Sequence, residues 1–226
     1  MIRLHSPPRV LAIGAHPDDI ELGAGGFLRA LVRDRGADVW MLVLSTGLQS
    51  RDVKKPYVSS VRRDESIASA RVLGISADRV DVRSFPDCSL HEHGHEIIRD
   101  IESLAVGADR DARIDLVLTH SASDLHADHR VAHESTLSAL RDFAGTILLY
   151  QTPSTRLNGF RPAFFVTLDE DAIAAKERAL RAHASQRDKA FMREGRVRNL
   201  GSSWALFLRL PTESIVEAFE VERAFY

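Results

Sequence analysis

Apolar residues fall along this chain in two alternating rhythms. Mostly apolar runs of strand length, R-V-L-A-I-G-A at 9–15, A-D-V-W-M-L-V-L at 37–44 and I-D-L-V-L-T-H at 114–120, give way to stretches in which apolar positions return every three or four residues. The first kind predicts strands buried on both faces, as a parallel sheet requires, and the second predicts amphipathic helices. Helices are expected over about 26–35, closed by Gly36, about 59–73, stopped by Gly74, 95–104, from after Asp128 to about 143, and about 170–184. V-D-V-R-S-F at 80–85, T-I-L-L-Y-Q-T at 146–152 and P-A-F-F-V-T-L at 162–168 read as further strands, and S-W-A-L-F-L-R-L at 203–210, reached through a polar arm, reads as an extra strand on the sheet edge. This alternation predicts an α/β fold: a Rossmann-like, doubly wound, mostly parallel sheet in a three-layer α/β/α sandwich, with its site at the carboxyl ends of the strands. Residues 1–226 are expected to form one domain, of which about 150–226 is the less regular portion.

Composition narrows the classes that remain. With 226 residues and 44% hydrophobic content the chain can bury one sizeable core. A formal charge of -2 gives no footprint for nucleic acid or an anionic membrane. No apolar run approaches the roughly 20 residues that span a bilayer, and the amino terminus lacks a signal-like apolar stretch, so a cytoplasmic protein is expected. The one cysteine, Cys88, excludes an intrachain disulfide and is expected to be a small buried hydrophobe. Self-association into a homo-oligomer is compatible with the sequence.

The polar residues at two strand ends change the picture most. The strand at 9–15 runs into His16, Asp18, Asp19 and Glu21, a degree of polarity that a core strand has no use for. A hydrolytic metal site needs two or three imidazole or carboxylate ligands, an open position for water and a nearby carboxylate to take a proton. His16 and Asp19 can reach one ion across the turn, leaving Asp18 as proton acceptor. The loop D-L-H-A-D-H-R after the strand at 114–120 supplies the partner: His126 or His129 completes a His-Asp-His set, and the other can donate to a developing oxyanion or to a leaving amine. Asp128 between them suits an orienting role.

A-H-P-D-D-I-E-L-G-A-G-G together with H-A-D-H-R resembles the LmbE-like, or PIG-L, zinc-dependent N-acetylglucosaminyl deacetylases. V-R-R-D-E-S-I-A-S-A-R-V-L-G-I and H-A-S-Q at 183–186 extend the resemblance over roughly residues 10–190, more weakly beyond 150. The resemblance implies His16, Asp19 and His129 as metal ligands, Asp18 as general base, His126 as oxyanion or acid histidine, Asp128 as the partner of His126 or His129, and Arg62 near the substrate. It implies Zn2+, with Fe2+, Mn2+ or Co2+ also suited to such ligands, and a small amino-sugar conjugate that releases acetate and a free amine. The alternatives are an amidase for another N-acyl or thiol-sugar conjugate and, from a different class, a non-catalytic nucleotide-binding regulatory module. Q-S-R-D-V-K-K-P-Y at 49–57 is where substrate-defining contacts are expected, and Glu21 receives no role.

Plainer readings cover the other candidates. His120 is expected to hydrogen-bond backbone, His133 to lie at the surface or behind the ligands, and His91, His93 and His95 to be solvated. His183 suits a helix carboxyl end. Asp87 is equally a turn residue or a substrate contact. Apart from the resemblance, Arg62 and Arg63 read as a solvated face. G-A-G-G lacks the dinucleotide spacing and reads as close helix-to-strand packing.

Overall fold

The computed structural model describes residues 4–47, 59–106 and 113–224. Its elements alternate as the periodicity predicts: β1 (Arg9–Gly14), α1 (Asp19–Arg35), β2 (Asp38–Val43), α2 (Ser59–Leu73), β3 (Val80–Val82), α3 (Gly94–Val106), β4 (Leu116–His120), α4 (Ala127–Ala139), β5 (Thr146–Tyr150), β6 (Phe164–Leu168), α5 (Glu170–Ala182), α6 (Arg196–Phe207) and β7 (Ile215–Arg223). The seven strands form one sheet in the order β3-β2-β1-β4-β5-β7-β6. The pairings β2–β3, β1–β2, β1–β4 and β4–β5 are parallel, whereas β7 runs antiparallel to both β5 and β6.

Alternation along the central strands sorts two cores. Val10, Ala12, Met41 and Leu118 pack against Ile20 and Leu28 of α1, Leu73 of α2 and Ala175 of α5. Leu11, Ile13, Leu42 and Val117 face the other way, onto Ile97 and Ile101 of α3 and Ala132 of α4. Helices therefore cover both faces, giving the three-layer sandwich. Strand order reverses between β1 and β4, and in such sheets the crevice beyond the carboxyl ends at that reversal is the ligand site.

Three sequence expectations are corrected. Helix α1 begins at Asp19 rather than near Gly26, so G-A-G-G lies inside it. The low helix propensity of glycine is overridden by packing: a Cβ on Gly23 would stand 2.2 Å from Tyr150 Cδ2, and one on Gly26 would stand 2.4 Å from Leu168 Cδ1. The run at 203–210 is not an edge strand: 203–207 is the end of α6 and 208–210 the turn after it, with Gly201 and Ala205 buried while Leu206 and Phe207 are exposed. The strand in that part of the sheet is instead β7, an I-V-E-A-F-E-V-E-R segment whose apolar positions and buried Glu217 fit between β5 and β6. Lys176 Nζ lies 2.6 Å from Glu217 Oε1, and Glu217 accepts the Gly26 and Phe27 N–H groups, which is why a charge is tolerated there. Helix α4 also ends at Ala139, before the expected 143. No helix among the described residues is long and apolar enough to cross a membrane.

Candidate active site

β1 and β4 deliver their carboxyl ends side by side, and the two polar loops meet there. Pro17 and Asp18 turn the chain sharply into α1, with Asp18 as N-cap at φ 104°, a left-handed conformation that a non-glycine residue adopts only when its surroundings enforce it. The enforcing group is Arg62 on α2, which is buried rather than solvated. Its Nη2 donates to Pro17 O at 2.7 Å, its Nε to Thr46 O at 3.3 Å, and its Nη1 to Glu65 Oε2 at 3.1 Å and Ser185 Oγ at 3.3 Å. Asp18 Oδ2 stands 3.7 Å from Arg62 Nη2, is buried, and among the described residues receives no hydrogen bond. Burial and the adjacent Asp19 carboxylate raise the Asp18 pKa against the opposing pull of Arg62.

Three donor atoms converge beside it. His16 Nδ1 lies 3.4 Å from Asp19 Oδ2 and 3.3 Å from His129 Nε2, and His129 Nε2 lies 3.3 Å from Asp19 Oδ2. In a tetrahedron with metal–ligand bonds of about 2.0–2.1 Å, donor atoms stand about 3.3–3.4 Å apart. The triangle thus fits a four-coordinate divalent ion without rearrangement and leaves one position open.

The ring nitrogens outside the triangle face carboxylates. His16 Nε2 lies 3.1 Å from Asp87 Oδ1 and 3.2 Å from Asp128 Oδ2, and His129 Nδ1 lies 3.1 Å from Asp124 Oδ2. Each carboxylate draws the ring proton to its own side and leaves the triangle nitrogen a free lone pair. Burial would lower both histidines, but the carboxylates outweigh it, raising His16 well above its ordinary value and pushing His129 up to about 9. Burial would raise Asp19, and the facing histidines hold it well below the usual carboxylate range. So much negative charge around two imidazoles is a cavity built for a cation, whether proton or metal.

His126 and His120 also approach the triangle, since His16, His126 and His129 cluster, as do Asp19, His120 and His129. His120 Nε2, however, accepts the Ala15 N–H at 3.0 Å, so its lone pair is spent on backbone as the sequence suggests. Burial and the neighbouring His129 lower its pKa to about 4, so the ring is neutral. His126 caps α4 by accepting the Asp128 N–H at Nδ1, 3.3 Å away, which places its proton on Nε2. Burial and the neighbouring His16 and His129 lower its pKa, so it is a neutral N–H donor.

Several candidates stand elsewhere than the sequence suggests. Asp128 faces His16 rather than the side chains of His126 or His129, because Cys88 N–H and Leu90 N–H draw its carboxylate towards the loop after β3. The carboxylate on His129 is Asp124, which also accepts from His126 N, Thr152, Ser154 and Thr155. Asp124 opens the same D-L-H-A-D-H-R loop, and spacing alone does not tell which of its two carboxylates meets which ring. Asp87 touches His16 Nε2, which is more than a turn residue does. Cys88 is exposed rather than buried, at φ 61° in the turn beyond β3. His133 is buried and gives Nδ1 to the His120 carbonyl. Glu21 and His183 are buried together, 3.3 Å apart, with Ser69 donating to Glu21 at 2.6 Å, so both tie α1 to α2 and to the end of α5. Residues 49–57 lie outside the described residues. An apolar cavity of about 490 Å³, lined in part by Leu22, Phe191, Trp204 and Val216, lies beyond the end of β5 and shares Thr152 with the site.

Fold and site together define a mostly parallel α/β protein whose strand-order reversal carries a His-Asp-His triangle beside a buried aspartate. Residues 11–140 match the model of the GlcNAc-PI de-N-acetylase (PIG-L) family, and the chain belongs to that family. It is 33% identical to the uncharacterized deacetylase YaiS of Escherichia coli over 177 residues, covering 78% of this chain and 90% of that one. It is 30% identical over 196 residues to a diacetylchitobiose deacetylase of Thermococcus kodakarensis, covering 79% and 70%. Among solved structures, GalB of Pseudomonas putida, described as a 4-carboxy-2-hydroxymuconate hydratase, superposes with a TM-score of 0.73 at 18% identity over 97% of this chain and 98% of that one. That likeness is one of fold alone.

Proposed function

We propose that the chain is a metal-dependent deacetylase of an N-acetylglucosamine-type amino sugar or its small-molecule conjugate, releasing acetate and a free amine. The observation that carries the reading is the His16–Asp19–His129 triangle, with 3.3–3.4 Å edges, beside the unbonded Oδ2 of Asp18. Family membership and the deacetylase relatives support the same substrate class.

His16, Asp19 and His129 would hold the ion, with Zn2+ the best match and Fe2+, Mn2+ or Co2+ compatible with the same donors. Such an ion, when bound, polarises a carbonyl and lowers the pKa of water to about 7. Asp18 takes the proton from the attacking water; its raised pKa suits a base that must afterwards return that proton to the leaving nitrogen. His126 offers Nε2–H to the acetyl oxygen as it gains charge. Asp124 and Asp128 hold the His129 and His16 rings in the tautomers that face the triangle. Arg62 holds the turn that carries Asp18, and among the described residues one Nη2 hydrogen is left for substrate.

The test is acetate release from a panel of N-acetylglucosaminyl lipids, inositol conjugates, thiol precursors and oligosaccharides, using protein stripped of metal and reloaded with each ion. Activity that appears on reloading and disappears in Asp18→Asn is expected. Release of acetate from none of these by any metal form would overturn the assignment.

A further inference from the structure

Next to the triangle, on its solvent side, three side chains of different chemistry converge that the proposed reaction does not need as a set. The ligand atoms of Asp87, Cys88 and His126 all lie within 4.8 Å of one another. Cys88 Sγ stands 3.5 Å from Asp87 Oδ1. For metal bonds of about 2.3 Å to sulfur and 2.0 Å to oxygen, a tetrahedral site sets those two atoms about 3.5 Å apart. The cysteine is not there by slack in the chain. Its N–H donates to Asp128 Oδ2 at 2.7 Å, its backbone stands at φ 61° in the left-handed region, and its thiol reaches Asp87 Oδ1.

We propose that Asp87, Cys88 and His126 form a second metal site, selective for a thiophilic divalent ion such as Zn2+, whose occupation shuts off the neighbouring active site. Thiolate, imidazole and carboxylate together suit Zn2+ or Cd2+ and not Mg2+ or Ca2+. On binding, the Cys88 thiol releases its proton to solvent and the sulfur donates an electron pair. His126 Nδ1 already accepts the Asp128 N–H, which leaves Nε2 for the ion. A nitrogen whose lone pair holds a metal carries no hydrogen, so His126 cannot ligate there and donate to an oxyanion at once. Asp87 and Asp128 on His16, with Asp19 and Asp124 around the triangle, supply the negative charge that lets two divalent ions stand close together.

The inhibition rests on the deacetylase reading; the binding does not, and the experiment separates them. The chain is loaded with one equivalent of Zn2+ and titrated with more, while the reaction of its single cysteine with Ellman's reagent is followed and bound metal is counted after dialysis. Further zinc should slow thiol modification by about tenfold or more, because a coordinated sulfur is a poor nucleophile. Wild type should hold one ion more than Cys88→Ala, Mg2+ should protect nothing, and Cys88→Ala should keep its acetate release at zinc concentrations that silence the wild type. Unchanged thiol reactivity beyond the first equivalent, or equal ion counts in wild type and variant, would overturn the second site. Protection and a matching extra ion in a chain that releases no acetate would leave the second site standing and remove the deacetylase reading instead.

Discussion

On the metal-dependent reading proposed above, replacing Asp124 by asparagine should weaken metal binding through a proton on a ring that the mutation does not touch. Asp124 Oδ1 accepts His126 N–H at 2.8 Å and Ser154 Oγ at 2.7 Å, while Oδ2 accepts Thr152 Oγ1 at 2.6 Å and Thr155 Oγ1 at 3.0 Å and lies 3.1 Å from His129 Nδ1. An asparagine amide must set its NH2 on one of those sides. The hydroxyls can rotate to suit either choice, but a backbone N–H cannot give up its proton and an imidazole can move one. The NH2 therefore settles against His129, whose proton shifts to Nε2, the nitrogen of the triangle. Loss of a carboxylate behind a ligating histidine typically lowers metal affinity by about 10–100-fold, and a reversed tautomer argues for the upper end, about 2.7 kcal/mol. Competition with a chromophoric zinc chelator measures it, with circular dichroism confirming the fold. A folded Asp124→Asn variant whose zinc affinity stays within about twofold of wild type would refute the tautomer argument and the role of His129 with it.

Asp18→Asn should keep the metal yet lower kcat by about 10²–10⁴-fold, since it removes a proton acceptor and no ligand; loss of zinc from that variant would mean Asp18 is part of the ion's shell. Gly23→Ala gains up to about 1 kcal/mol in helix propensity but forces a methyl 2.2 Å from Tyr150 Cδ2, and overpacking of about 1–3 kcal/mol should prevail. Gly94→Ala, in helical geometry with nothing within 4 Å, should instead stabilise by about 0.4–1 kcal/mol; urea denaturation of the pair reads both signs. Burial lowers His183, but the facing Glu21 carboxylate prevails and raises its pKa, so its contribution to stability is complete below the unfolded histidine value of about 6.5 and is lost as pH rises through the folded value. Glu21→Gln should flatten that decline above about pH 6.5 in melts across pH, and an unchanged slope would sink the pairing.

Legibility differed by the kind of information each feature needs. The central strands β1, β2, β4 and β5 are apolar on both faces and announce themselves locally, and the residues at the ends of β1 and β4 stand out because nothing in a core explains them. What escaped depended on partners far away in sequence. G-A-G-G reads correctly as close helix-to-strand packing, but that it lies inside α1 rather than ahead of it shows only once Tyr150 and Leu168 are in place against it. The 203–210 run has the composition of a strand, but the region lies in and just after α6, where Gly201 packs closely on Ile215 and Val216 of β7. In the site, residue types and the two loops were readable, but Asp124 and Asp128 sit four positions apart in one loop and serve different histidines, a division that side-chain direction decides and spacing does not.

Arg62 shows how the distant H-A-S-Q segment enters the chemistry. A left-handed aspartate costs about 1–3 kcal/mol and relaxes unless something holds it. The hold is Arg62 Nη2 on Pro17 O, and among the described residues Arg62 is itself fixed by Thr46 O, Glu65 and Ser185. Glu65 in turn accepts both the N–H and the hydroxyl of Ser185, each at 2.7 Å, in the turn that follows α5. Three segments far apart in sequence thus close on one turn, and their combined effect is to keep a carboxylate oxygen buried, beside a guanidinium but unbonded. A carboxylate in ordinary backbone geometry would satisfy itself on the nearest N–H of α1, as N-cap aspartates do. Asp18 makes no such cap bond, so its lone pair remains available to a proton from outside the protein.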